Sequence, residues 1–135
     1  MKSTQTGFSL VEMIAVILLL GIIAGFVAPA IFGKVDQGRW NATKSSIKSL
    51  GTKIETYAMD NGTLPESLED LTNKPGNADN WNGPYARPSE LKDGWDKPFS
   101  YRTPGENGLD YELISYGADN QPGGEKWKKD ISNAD

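Results

Sequence analysis

One carboxylate, Glu12, stands at the entrance of an apolar run that extends over residues 13–32 without a charged side chain. An ionised acid at full membrane depth costs on the order of 2.5–3.5 kcal/mol, and less near the interface. Glu12 therefore either snorkels towards headgroups or waits for a positive partner. The run holds no cation, so that partner would come from another chain. The other chemically loaded stretch is 115–131. Asp119, Asp130, the Ser115 hydroxyl and the Leu113 carbonyl are hard oxygen donors of the kind calcium prefers, and a Gly- and Pro-rich loop that folds back would bring them together. An ordinary solvated loop with scattered acids is the plainer alternative. Trp127 packs over this loop or against the sheet.

The chain has no histidine and no cysteine. Their absence removes the commonest general base, the Ser-His and Cys-His nucleophile pairs and imidazole metal sites. No phosphate loop or nucleophile elbow is present. A formal charge of −4 without a basic stripe argues against nucleic acid, whose binding leans on clustered Lys and Arg. The composition points away from an enzyme.

These residues must be positioned by few elements. At 135 residues the chain fits one domain plus one extra element. Residues 13–32, at about 1.5 Å of rise each, span roughly 30 Å, the thickness of a bilayer's hydrocarbon core. A cleaved secretory signal fits poorly. Its apolar region would exceed the usual length, Glu12 interrupts its start, and Lys2 is the one charge before it. A membrane anchor and an assembly helix remain. Gly21, Gly25, Pro29 and Gly33 recur on one face, which allows close helix packing in lipid. Pro29 also removes the hydrogen bond to the Gly25 carbonyl, making the 25–29 stretch the expected soft point. Lys34, Arg39 and Lys44 beyond the run, against Lys2 before it, mildly favour an N-terminus outside the cytoplasm.

Trp40, Ile47, Leu50, Ile54 and Tyr57, with Thr43 filling the gap, form one stripe of a helix that continues to about Asn61. Asn61-Gly62 and Pro65 stop it. A short helical turn is expected within 65–71. Residues 99–102 and 111–116 read as strands joined by turn chemistry at 103–108, an antiparallel hairpin. The fold class is α+β: a long N-terminal helix, membrane-spanning in its first half, packed on a small antiparallel sheet with a loop-rich C-terminal region.

Gly7-Phe8-Ser9-Leu10-Val11-Glu12, after a short Lys-bearing leader and before the apolar run, resembles the prepilin signature of type IV pilins and type II secretion pseudopilins. Further matches resemble the G-type major pseudopilins in order along nearly the whole mature chain. They are Tyr57-Ala58-Met59-Asp60-Asn61-Gly62, Gly83-Pro84-Tyr85, Trp95 with Pro98-Phe99 and Tyr101, Pro104-Gly105 with Gly108, and Gly117-Ala118-Asp119 with Gly123-Gly124. Type IV pilins share only the N-terminal third and often carry a cysteine pair that this chain lacks.

The resemblance implies a leader over 1–7, cleaved between Gly7 and Phe8 with methylation of Phe8. It divides the remainder into a transmembrane and assembly helix over 8–32, its amphipathic continuation over 33–61 and a loop-rich sheet region over 62–135. It implies that Glu12 meets the Phe8 amine of a neighbouring subunit, and that the helix kinks or melts near Gly25 and Pro29. The expected function is a subunit of a periplasmic pseudopilus, polymerising through its helix to drive export of folded proteins. The implied partners are further copies in a helical homopolymer, minor pseudopilins, the inner-membrane assembly platform, the prepilin peptidase and, before assembly, lipid. The location would be the inner membrane with a periplasmic C-terminal domain, against the charge count above. A type IV pilin and a membrane-anchored periplasmic binding module are the rivals. In the resembled family the 115–131 loop binds calcium, which makes Leu113, Ser115, Asp119 and Asp130 the candidate ligands. Here Lys129 stands where the family has an acid, Lys126 and Lys128 crowd the site, and Glu125 is the one possible substitute.

Overall fold

A computed structural model describes residues 6–135. A single helix, α1 (Leu10–Asn61, 52 residues), runs through two compact units, one ending at Val35 and the other covering Asp36–Asp135.

Among its described residues the first unit is helix from Leu10 onward. Its apolar side chains are solvent-facing throughout, Phe26 at 81% and Ile17 at 64% exposure, so nothing in the chain itself covers them. Such exposure is untenable in water and natural in lipid or against other helices. Pro29 lies inside α1, which is continuous through it. A Cβ at Gly21, Gly25 or Gly33 would meet open space, so these glycines are not required by packing within the subunit.

In the second unit the sequence stripe is the buried face. Thr43, Ile47, Leu50, Ile54 and Tyr57 are buried, joined by Gly51, where an added Cβ would come within 2.9 Å of the Tyr111 hydroxyl. The helix ends as its sequence dictates. Gly62 takes φ +77°, its N–H donates to the Ala58 carbonyl at 2.8 Å, and the Asn61 side chain donates to the Tyr57 carbonyl at 3.0 Å. After one 3-10 turn, Leu68–Leu71, and another, Pro88–Leu91, the chain enters a three-stranded antiparallel sheet. Its strands are β1 (Ser100–Arg102), β2 (Glu112–Ser115) and β3 (Ile131–Ser132), in that spatial order. The expected hairpin is β1–β2, with Tyr101 opposite Leu113. The third strand is an addition to the expectation: β3 pairs Ile131 with Ser115.

Leu50, Ile54, Leu71, Leu113 and Ile131 are almost completely buried and join helix to sheet. Each contributes roughly 1.5–3 kcal/mol by leaving water. Polar ties fix the loops around this core. Trp81 Nε1 donates to the Asp70 carbonyl at 2.8 Å, the Tyr101 hydroxyl to the Pro65 carbonyl at 2.7 Å, and the Tyr85 hydroxyl to Asp60 at 2.6 Å. Lys53 on α1 pairs with Glu90 at 2.5 Å, and that ammonium holds the Glu90 carboxyl below its ordinary range.

Candidate assembly site

The head of α1 is built by three residues. Residues 6–9 have no regular secondary structure and are exposed, which leaves the Gly7-Phe8 peptide open to solvent, with Phe8 at 83% exposure. Ser9 caps the helix. Its hydroxyl accepts from the Glu12 N–H at 3.2 Å, and Glu12 Oε2 accepts from the Ser9 N–H at 3.4 Å, the reciprocal pattern of a capping box. Sequence reasoning weighed snorkelling and an intersubunit partner for Glu12 and missed the cap, although Ser9 three positions earlier was a legible signal. The return bond is long for N–H to oxygen, so it anchors the carboxylate weakly and leaves it able to accept a stronger donor. The carboxylate thus reaches the backbone of Ser9, the residue after Phe8, at the positive end of the helix dipole. Residues 1–5 of the expected leader, with Lys2, lie outside the described residues. Gly25 and Pro29 both lie within the uninterrupted helix.

The four candidate calcium ligands do not share one set of contacts. The Leu113 carbonyl accepts from the Asn133 N–H at 3.1 Å within the sheet, and Asn133 Oδ1 accepts from the Leu113 N–H at 2.8 Å. The buried Ser115 hydroxyl donates to Asp93 at 2.6 Å. On the loop, Asp119 accepts from the Gln121 N–H at 3.2 Å, and both oxygens of Asp130 accept from the Gly123 N–H, at 3.1 and 3.0 Å. Among the described residues no group of three or more acidic side chains is placed to hold a metal ion. The loop does fold back as the glycines suggested. Gly117 (φ +71°) packs so closely on the Trp127 and Lys129 carbonyls that a Cβ would overlap them, and Gly124 does the same against Lys128. Asp119 and Asp130 thus each accept from a different loop N–H, and the Ser115 hydroxyl, which donates to Asp93, also accepts from the Gly117 N–H at 3.3 Å.

Asp93 was missed by sequence reasoning. It is 8% exposed and organises the turn before β1. Oδ1 accepts from the N–H groups of Trp95 at 2.9 Å and Lys97 at 3.0 Å, while Oδ2 accepts from Ser115. Next to it the Gly94 N–H donates to Thr43 Oγ1 at 2.8 Å, with no room for a side chain at Gly94 against the helix backbone. The signal available in sequence was the Asp93-Gly94 turn dipeptide. The Trp127 ring meets Trp40 of α1 edge to face, with ring centroids 5.9 Å apart.

Comparison with known proteins agrees with this architecture. The family model described as type II secretion system (T2SS), protein G, matches residues 30–134, and the prokaryotic N-terminal methylation motif matches residues 2–28. The chain belongs to the type II secretion system protein G family. Type II secretion system core protein G of Xanthomonas campestris pv. campestris is 43% identical over 96% of this chain and 90% of its own length. The protein of the same name from Pseudomonas aeruginosa is 36% identical over 99% and 98%. The crystal structure of the major pseudopilin from the type 2 secretion system of enterohaemorrhagic Escherichia coli is similar in fold. Its TM-score is 0.61 at 24% identity, covering 76% of this chain and 91% of that one. The long helix on a small antiparallel sheet is thus the pseudopilin fold.

Proposed function

We propose that this chain is the major structural subunit of a type II secretion pseudopilus, inserted in the inner membrane by the first half of α1 and carrying its C-terminal unit in the periplasm. A leader is removed between Gly7 and Phe8, and the new Phe8 amine is methylated. Copies then leave the membrane and pack helix on helix into a head-to-tail polymer, which a heterologous interface generates when it does not close. The observation that carries the reading is an uncovered apolar helix with one acid, Glu12, at its head. In a dry helical bundle an unpaired carboxylate is costly, so an incoming subunit whose Phe8 amine meets Glu12 is favoured over one out of register. The role is structural, without catalysis. Minor pseudopilins, the assembly platform and the prepilin peptidase are the partners this role requires. The family match favours neither a motility pilin nor an anchored binding module.

Glu12→Val tests the reading. The variant is expected to be inserted and trimmed like the parent, with the intact mass showing loss of residues 1–7 and one added methyl. Filament formation and protein export should fall to background. Normal filaments and export from Glu12→Val would overturn it.

A calcium ion, which the family resemblance suggests, would be held by Asp119, Asp130 and loop carbonyls, supplying cross-links between the two arms of the loop. With Lys129 beside Asp130 the ligand charge is low, which weakens affinity. The expected result is a small rise in melting temperature at millimolar calcium that Asp119→Asn abolishes.

A further inference from the structure

We propose that a basic, aromatic patch at the start of the second unit docks on the anionic phospholipid surface of the bilayer that holds α1. The inference rests on the membrane-inserted reading above and adds a second contact with lipid.

The patch is built by the Trp40–Trp127 pair. Lys44 Nζ lies 5.8 Å from the Trp40 ring centroid, and Trp127 is flanked in its 3-10 turn (Lys126–Lys128) by Lys126 and Lys128, with Lys129 next. All four lysines are exposed. Among the described residues none of the four has an acidic side chain within 4.0 Å, whereas Lys53 and Lys92 each have one and Arg102 has two. Glu125 and Asp130 adjoin the patch, and Asp130 directs both oxygens to the Gly123 N–H. In a chain of net charge −4, four unpaired ammonium groups around two partly exposed indoles form a local exception. That chemistry suits an interface of phosphates over glycerol and acyl chains. Indoles favour the headgroup level, and lysines near an anionic surface are attracted within a screening length.

Continuity along the chain supports the same occupant. Trp40 follows Phe32, the last residue of the apolar run, closely in the sequence. A site tethered that closely to a membrane segment meets lipid at high effective concentration, so modest intrinsic affinity suffices. Docking would hold the folded unit against the bilayer until the subunit is drawn into a filament.

The test uses the full chain in nanodiscs of phosphatidylcholine, alone or mixed with phosphatidylglycerol. Amine acetylation is read lysine by lysine by mass spectrometry, with exposed Lys74 as internal reference. Lys44, Lys126, Lys128 and Lys129 should react about fivefold more slowly in the anionic discs. The protection should vanish at about 1 M salt, where the screening length falls to about 3 Å. In the triple variant Lys126→Gln, Lys128→Gln, Lys129→Gln, protection of Lys44 should drop to its value in neutral discs. Equal rates in both discs from an inserted chain overturn this inference and leave the membrane reading standing. Protection that follows the number of copies per disc rather than lipid charge also overturns it, because a second copy then covers the patch. Failure to insert overturns both.

Discussion

Asp93 and Glu12 are both carboxylates, and their surroundings give them opposite tasks. Asp93 is buried, with its oxygens taken by Ser115 and two backbone N–H groups. Glu12 is exposed and only weakly held by Ser9. Hydrogen bonds to a charged group contribute about 1.5–3 kcal/mol each, and truncation strands their partners in the interior. Asp93→Ala should therefore destabilise the second unit by about 3 kcal/mol and lower its melting temperature by more than about 10 °C, measured by circular dichroism in detergent. Asp93→Asn should fall between that variant and the parent, because an amide keeps one acceptor oxygen. An unchanged melting temperature would remove Asp93 from its organising role. The prepilin-like motif made Glu12 legible in sequence. Asp93 was hidden because its partner Ser115 lies on β2, 22 positions further along the chain, and no local pattern links the two.

Among the elements, α1 combines two kinds of helix. Its second half is held by a buried stripe, and its first half by backbone hydrogen bonds alone. Proline in a helix interior costs about 3 kcal/mol, so the turn around Pro29 is where opening should be easiest. Pro29→Ala should raise hydrogen-exchange protection of amides over 25–33 by about two orders of magnitude in detergent. An unchanged exchange pattern would mean that this turn is no softer than its neighbours. At the other end of the chain, the loop after β2 is tied to α1 by Trp127 on Trp40. Trp127→Ala should cost about 2 kcal/mol, from lost burial and the edge-to-face contact, read as a lower melting temperature with the sheet retained. The β1–β2 hairpin could be read from alternating residues around a Pro-Gly turn. β3, with two residues, carries no periodicity at all and exists because Ile131 finds Ser115 across the sheet.

At the scale of the whole molecule, the second unit is rich in shielded phenols. Burial pushes the Tyr101 hydroxyl up to about 12 from the usual 10.0, with the neighbouring Tyr111 adding to it. Burial likewise raises Tyr57, Tyr85 and Tyr111. A phenol raised in the folded state keeps its proton where the unfolded chain has lost it. Its stabilisation is complete below pH 10 and is lost as pH climbs from 10 towards 12. Stability should thus fall steeply over that window, and Tyr101→Phe should flatten the fall. A stability profile level from pH 9 to about 12 would contradict it.

The sequence by itself determined the division of this protein into an apolar rod and a small folded unit. Hydrophobic segregation and helical periodicity are local properties that survive without knowledge of any partner strand. It also determined where α1 stops, through Gly62, and which acid stands at the head of the rod. Only the tertiary structure decided which polar groups meet. Ser115 donated its hydroxyl to Asp93, Trp127 crossed to Trp40, and a third strand joined the sheet. Each of these is a contact between residues far apart in the chain, chosen by what burial leaves unpaired rather than by any neighbouring residue.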